Sequence, residues 1–81
     1  MYYVYVLKSL KDGRLYVGHT NNLIRRFKEH NIGLENSTKN RKPFKLLYYE
    51  GSNILIDAIK REKSLKTGFG RRYLKNRLSD I

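Results

Sequence analysis

The opening segment MYYVYVL constrains this chain more than any other feature. Its residues are aromatic or β-branched, the types that pack well on a pleated backbone. Tyr3, Tyr5 and Leu7 share one parity, and Tyr2, Val4 and Val6 share the other, so both faces are apolar. Such a strand needs cover on both sides. Asp12-Gly13 is a strong hairpin-turn dipeptide, and Leu15 to Gly18 (LYVG) reads as the returning strand. Thr20, Asn21 or Asn22 can cap a helix carrying Leu23, Ile24 and Phe27, which Asn31 and Gly33 end just after His30. Residues 33–42 read as a mobile polar loop suited to a charged ligand. Phe44 to Glu50 forms a third strand, and Gly51-Ser52 breaks it. Ser52 or Asn53 then caps a helix from about Ile54 to Lys66, which Thr67-Gly68 ends. A short basic helix from Arg71 to Leu78 completes the order β-β-α-β-α-α. The expected class is α+β, a small three-stranded antiparallel sheet flanked by helices, with residues 1–81 forming one domain.

The hairpin fixes the relation between two tyrosines. A two-residue turn sets Ser9 opposite Tyr16; a turn two residues longer sets Tyr5 opposite Gly18. Both put Tyr5 and Tyr16 on one face. The longer turn makes them diagonal neighbours about 7–8 Å apart. Gly18, lacking a side chain, leaves room beside them for a ligand backbone. By pattern alone, strand tyrosines are packing residues with satisfied hydroxyls.

Charge narrows the partner. The chain carries 18 Lys and Arg against 7 Asp and Glu, a net charge of +11. So large an excess favours a polyanion, nucleic acid before a membrane surface. The absence of cysteine excludes disulfides and thiolate zinc sites, and His19 and His30 are too few for an imidazole cage. No apolar run reaches membrane-spanning length and no signal-peptide pattern opens the chain, so a cytoplasmic protein is expected.

One carboxylate is out of place. Leu55, Ala58, Glu62 and Leu65 form a single helical stripe, and three of the four are apolar. Glu62 is either paired with a neighbouring cation at the stripe's edge, the commoner outcome, or a metal ligand at the rim of a cleft.

Tyr3-Val4-Tyr5 followed by Tyr16-Val17-Gly18 resembles the paired signature of the GIY-YIG nucleases. The likeness continues through NNLIRRFKEHN, FKLLYYE and AIKREKSLK. It covers the chain from Tyr2 to about Leu78, closest to the small stand-alone bacterial members. Tyr3 replaces the first signature glycine and Val4 and Val17 the isoleucines, changes conservative for a strand. The resemblance implies a catalytic set of Tyr5, Tyr16, Arg25, His30 and Glu62, with Glu62 as the metal ligand and Mg²⁺ or Mn²⁺ as cofactor. Asn76 is the candidate for a late asparagine found in many members. Arg25 is preferred over Arg26 by alignment, not by periodicity.

The implied activity is metal-dependent hydrolysis of phosphodiester bonds in DNA, RNA not being excluded. The action is structure- or damage-directed, or of low specificity. The alternative is a non-catalytic nucleic-acid-binding module with the same fold. Arg25 would offer a planar fork to phosphate. Tyr5 would hold and deprotonate water, helped towards the phenolate by nearby cations, or only position that water while His30 takes the proton. His30 could instead contact phosphate. His19, beside Gly18, lies either near the cleft mouth or in a solvated loop. Between Lys60 and Arg77, eight cations, Lys60, Arg61, Lys63, Lys66, Arg71, Arg72, Lys75 and Arg77, stand against one acid, Glu62, and Lys39, Arg41, Lys42 and Lys45 form a second cluster. Phosphate contacts are expected from both clusters, from Arg26 and from Asn76, with strongly salt-dependent binding. A monomer or weak dimer is expected, with a possible protein partner for targeting.

Overall fold

The computed structural model describes residues 1–79 and 81. Strand β1 (Tyr2–Ser9) is central in a sheet of order β2-β1-β3 and pairs antiparallel with both neighbours, β2 (Leu15–Thr20) and β3 (Phe44–Ser52). Helices α1 (Leu23–Ile32), α2 (Leu55–Leu65) and α3 (Gly68–Arg77) complete the expected order. The β1–β2 register is that of the longer turn, with Tyr5 opposite Gly18 and Leu7 opposite Tyr16.

Each face of β1 has its own core, as its double apolar parity requires. Val4, Val6 and Val17 pack with Ala58, Leu65 and Leu74 of α2 and α3. Tyr5 and Leu7 pack with Phe44, and with Leu23 and Phe27 of α1. A bulge at Leu47 decides which β3 side chains join which core. Val6 faces Tyr48, but Leu7 faces Leu46, so one residue is skipped. The slip transfers Leu46 and Phe44 to the α1 face.

Helix ends depart from expectation in two places. Ile54 is the N-cap of α2 and supplies no side-chain cap; Ser52 Oγ bonds instead around the Ile54 backbone. Thr67 both closes α2, its N–H and hydroxyl donating to the Ser64 carbonyl, and caps the next helix, its side chain accepting the Gly70 N–H, so α3 begins at Gly68 rather than Arg71. Gly70, inside α3, is packed so closely on α2 that a Cβ would lie 2.4 Å from the Leu65 backbone. The segment 33–42 is anchored rather than loose. Thr38 is fully buried, Lys39–Arg41 forms a 3-10 turn, and Ser9 Oγ donates to the Arg41 carbonyl. Among the described residues no helix is long and apolar enough to cross a membrane.

Candidate active site

Helix α1 is set by its cap and its stripe. Asn22 Oδ1 accepts the Arg25 N–H at 3.0 Å, and Gly33 closes the helix with a φ of 84° that its missing Cβ permits. Leu23, Arg26, Phe27 and His30, at spacing i, i+3, i+4, i+7, make up its inner face. Ile24 is 74% exposed, and the Arg25 side chain is 59% exposed.

That face brings His30 onto the tyrosines. The Tyr5 hydroxyl lies 2.8 Å from His30 Nε2, and His30 Nδ1 lies 2.8 Å from Thr38 Oγ1, all buried. The Tyr16 ring meets the His30 ring edge-on at 5.0 Å, and the Tyr5 and Tyr16 centroids are 6.3 Å apart. Burial, then the charge of Arg26, lower the His30 pKa, so the ring is neutral near pH 7. Burial also pushes the Tyr5 phenol up to about 12 against the pull of Arg26, with Tyr16 and Glu62 adding to the rise. Cations were expected to favour the Tyr5 phenolate; desolvation outweighs them. Assigning the ring proton to Nδ1 lets the Tyr5 phenol donate to Nε2 and Nδ1–H donate to Thr38 Oγ1, which satisfies all three groups.

Arg26, not Arg25, reaches the phenol. Its guanidinium is the polar neighbour that favours ionisation of Tyr5. The same group donates to Glu29 Oε1 at 3.0 Å and to Glu35 Oε2. Arg25 turns outward, donating to Asn21 Oδ1 and facing Glu29. Adjacent positions lie about 100° apart around a helix, so only one of the two arginines can face the sheet.

Gly18 leaves no room for a ligand backbone, because Tyr5 fills the space. A Cβ at this position would sit 2.6 Å from the Tyr5 oxygen and 3.1 Å from the Tyr16 ring. The glycine lets the Tyr5 phenol lie over its partner strand β2, while the next residue, His19, points to the opposite face.

Glu62 arrives from that opposite face, on α2. It is hydrogen-bonded by Lys66 Nζ at 2.7 Å and by His19 Nδ1 at 2.6 Å, with its side chain 18% exposed. Burial pushes its pKa up, but the Lys66 and His19 bonds outweigh this and hold the carboxyl below the usual range. The edge-of-stripe reading with a cationic neighbour therefore describes the free protein. Glu62 nevertheless stays within electrostatic reach of the Tyr5 hydroxyl, around the β2 edge. Among the described residues no cluster of three or more His, Cys, Asp or Glu could hold a metal. A hard oxygen ligand with water-accessible edges fits Mg²⁺, which needs only one or two protein carboxylates.

The remaining expected residues scatter. His30 is fully buried and both its ring nitrogens are taken, by Tyr5 and Thr38, which leaves neither for a phosphate. Arg41 is not a free phosphate ligand: it is bound to Asp12 at 2.8 Å and lies over the Phe44 ring. Arg61 pairs with Glu50, while Arg72 covers Phe69. Lys39, Lys42, Lys63, Lys66, Arg71 and Asn76 are exposed, and Asn76 lies on α3. One functional neighbour escaped the sequence reading: Thr38 gave no signal, since only the folded loop brings it to His30. His19, expected at the cleft mouth or in a solvated loop, lies in β2, where strand parity sets it on the α2 face beside Glu62.

A model of the GIY-YIG catalytic domain matches residues 1–77. The chain is 46% identical over 67 residues to UPF0213 protein CPE1444 of Clostridium perfringens, covering 82% of this chain and 71% of that protein. It is 39% identical over 67 residues to UPF0213 protein SSP2268 of Staphylococcus saprophyticus, covering 82% and 80%. The solution structure of UPF0213 protein BH0048 from Bacillus halodurans superposes with a TM-score of 0.56 at 31% identity, covering 94% of this chain and 84% of that one. With signature, fold and relatives in agreement, this chain belongs to the GIY-YIG nuclease family, among the small UPF0213 proteins.

Proposed function

We propose that this protein is an endonuclease hydrolysing DNA phosphodiester bonds with a divalent cation, Mg²⁺ or Mn²⁺. The observation that carries the reading is the Tyr5 hydroxyl bonded to a buried, neutral His30 with the Arg26 guanidinium alongside. By donating its proton to Nε2, Tyr5 leaves its oxygen lone pairs to accept from a water. As that water attacks phosphorus, Tyr5 takes its proton and passes its own to His30. The phenol need not ionise beforehand, so a pKa of about 12 is no obstacle. Arg26 stabilises charge on the phosphate oxygens, exchanging Glu29 and Glu35 for the substrate. Glu62 would hold the cation through a carboxylate oxygen, in place of its bond to Lys66 or His19. When bound there, a divalent ion supplies Lewis-acid charge to the scissile phosphate and the leaving oxygen. No base-reading element is evident, so sequence specificity is low and any targeting comes from DNA structure or a partner protein.

A second reading, nucleic-acid binding without turnover, draws on the Lys66–Glu62–His19 clamp. Incubation with plasmid, single-stranded and branched DNA plus Mg²⁺ or Mn²⁺ separates the two. Cleavage abolished by Glu62→Ala and Arg26→Ala supports the nuclease. Salt-sensitive binding with no cleavage of any substrate supports the second reading.

A further inference from the structure

The turn after α1 carries a carboxylate back onto that helix. Gly33 ends α1 with a positive φ, and the Leu34 N–H donates to the Glu29 carbonyl at 3.0 Å, so the chain reverses. The Thr38 and Lys39 N–H groups both donate to the Glu35 carbonyl, and Thr38 Oγ1 bonds His30 Nδ1 in the interior. The turn so fixed presents Glu35 to Arg26. Oxygen Oε2 takes the Arg26 guanidinium, while Oε1 accepts from the Ser37 hydroxyl at 3.1 Å and from the Ser37 N–H. Arg26 first, then Ser37, hold the Glu35 carboxyl below the usual carboxylate range, so it is an anion at neutral pH.

Arg26 already has a partner on its own helix. Glu29, at i+3, accepts from Nη1 at 3.0 Å and faces Arg25 at 3.6 Å. Glu29 alone spares the guanidinium an unpaired state, so pairing does not by itself call for Glu35. The charges of Arg25, Arg26, Glu29 and Glu35 sum to zero; without Glu35 they sum to +1. We propose that Glu35 occupies the seat of the scissile phosphate and is displaced from Arg26 when DNA binds, a built-in competitor of the substrate. This deepens the nuclease reading above and rests on it. A carboxylate and a phosphodiester both offer anionic oxygens to the same planar fork, and two anions on it repel. Rotation of one side chain clears the seat, since Ser37 is exposed and the Thr38–His30 bond keeps the turn in place.

Inorganic phosphate, with no metal present, probes the seat apart from catalysis. Its titration at fixed ionic strength is followed on the Arg26 Nε–H resonance. Glu35→Gln keeps the shape and removes the charge; it should bind phosphate about tenfold tighter than the wild type. Ser37→Ala removes one brace of the carboxylate and should tighten binding by a smaller factor. With DNA and Mg²⁺, Glu35→Gln should lower KM by a similar factor and leave kcat unchanged. Should circular dichroism show Glu35→Gln unfolded, Ser37→Ala decides the matter alone. Equal or weaker phosphate binding by the variants would overturn the assignment of the seat and leave the nuclease reading standing. So would a fall in kcat with KM unchanged, which marks Glu35 as a positioning residue for Arg26. Cleavage by neither the wild type nor Glu35→Gln would overturn the nuclease reading and the role of the seat with it.

Discussion

The two faces of the sheet are built from different material. Towards α2 and α3, the strands bury valines against alanine and leucine, with no polar group in the cluster. Towards α1, the buried groups are Tyr5, His30 and Thr38, held by a chain of hydrogen bonds with Phe44 and Leu7 around them. The valine–leucine cluster of the first face is stabilised by burial, which is non-directional, and its hydrogen bonds, Tyr48 with Glu50 and Tyr73, lie at its margin. The polar face must satisfy every donor and acceptor, so its geometry is specified to within a hydrogen bond. We read the first as the support and the second as the chemical surface, with Glu62 contributed from the supporting side around the β2 edge.

The largest test of this division is Tyr5→Phe. Cleavage should fall roughly 100- to 10,000-fold, while urea unfolding shifts by only about 1 kcal/mol for the lost hydrogen bond. Comparable losses in both measurements would erase the distinction between the faces. Leu65→Ala, on the aliphatic side, should do the reverse: a loss of about 2–5 kcal/mol in stability, with turnover per folded molecule preserved. Gly18→Ala sharpens the boundary. A methyl 2.6 Å from the phenol oxygen must push Tyr5 off His30. That should cost about 1–3 kcal/mol and alter the ¹⁵N shifts of the His30 ring.

The pH dependence of stability probes the polar face alone. His30 has a folded pKa below its ordinary value of 6.5, so between the two the unfolded chain binds the extra proton. The neutral ring's contribution is complete above pH 6.5 and drains away as pH falls towards the folded pKa. Urea midpoints at pH 7 and pH 5 should therefore differ more in the wild type than in His30→Gln. The smallest effect belongs to Arg25→Ala. Its exposed contacts with Asn21 and Glu29 predict a stability change within about 0.5 kcal/mol and near-normal cleavage. Arg26→Ala should abolish cleavage; if Arg25→Ala matched it, the outward arginine would be the functional one.

Much of this was legible before any coordinates. Both parities of MYYVYVL announced two covered faces, and the hairpin parity put Tyr5 and Tyr16 together. The stripe Leu23, Arg26, Phe27 and His30 was also present in the sequence, and it selects the inward arginine by periodicity where alignment selected Arg25. The bulge at Leu47 was not legible: Leu46 and Leu47 are chemically identical, and only packing chooses which is skipped. Nor was the start of α3, because Thr67-Gly68 closes α2 as expected and its second use as a cap for the next helix leaves no separate signal.

By itself, the order of residues determined the strands, the helix faces and the excess of positive charge, since each depends on spacing within a dozen positions. Tertiary structure alone decided the protonation of Tyr5, the partners of Glu62 and Arg26, and the burial of Thr38. Those depend on solvent exclusion and on the approach of segments distant in the chain, and neither quantity exists until the faces close.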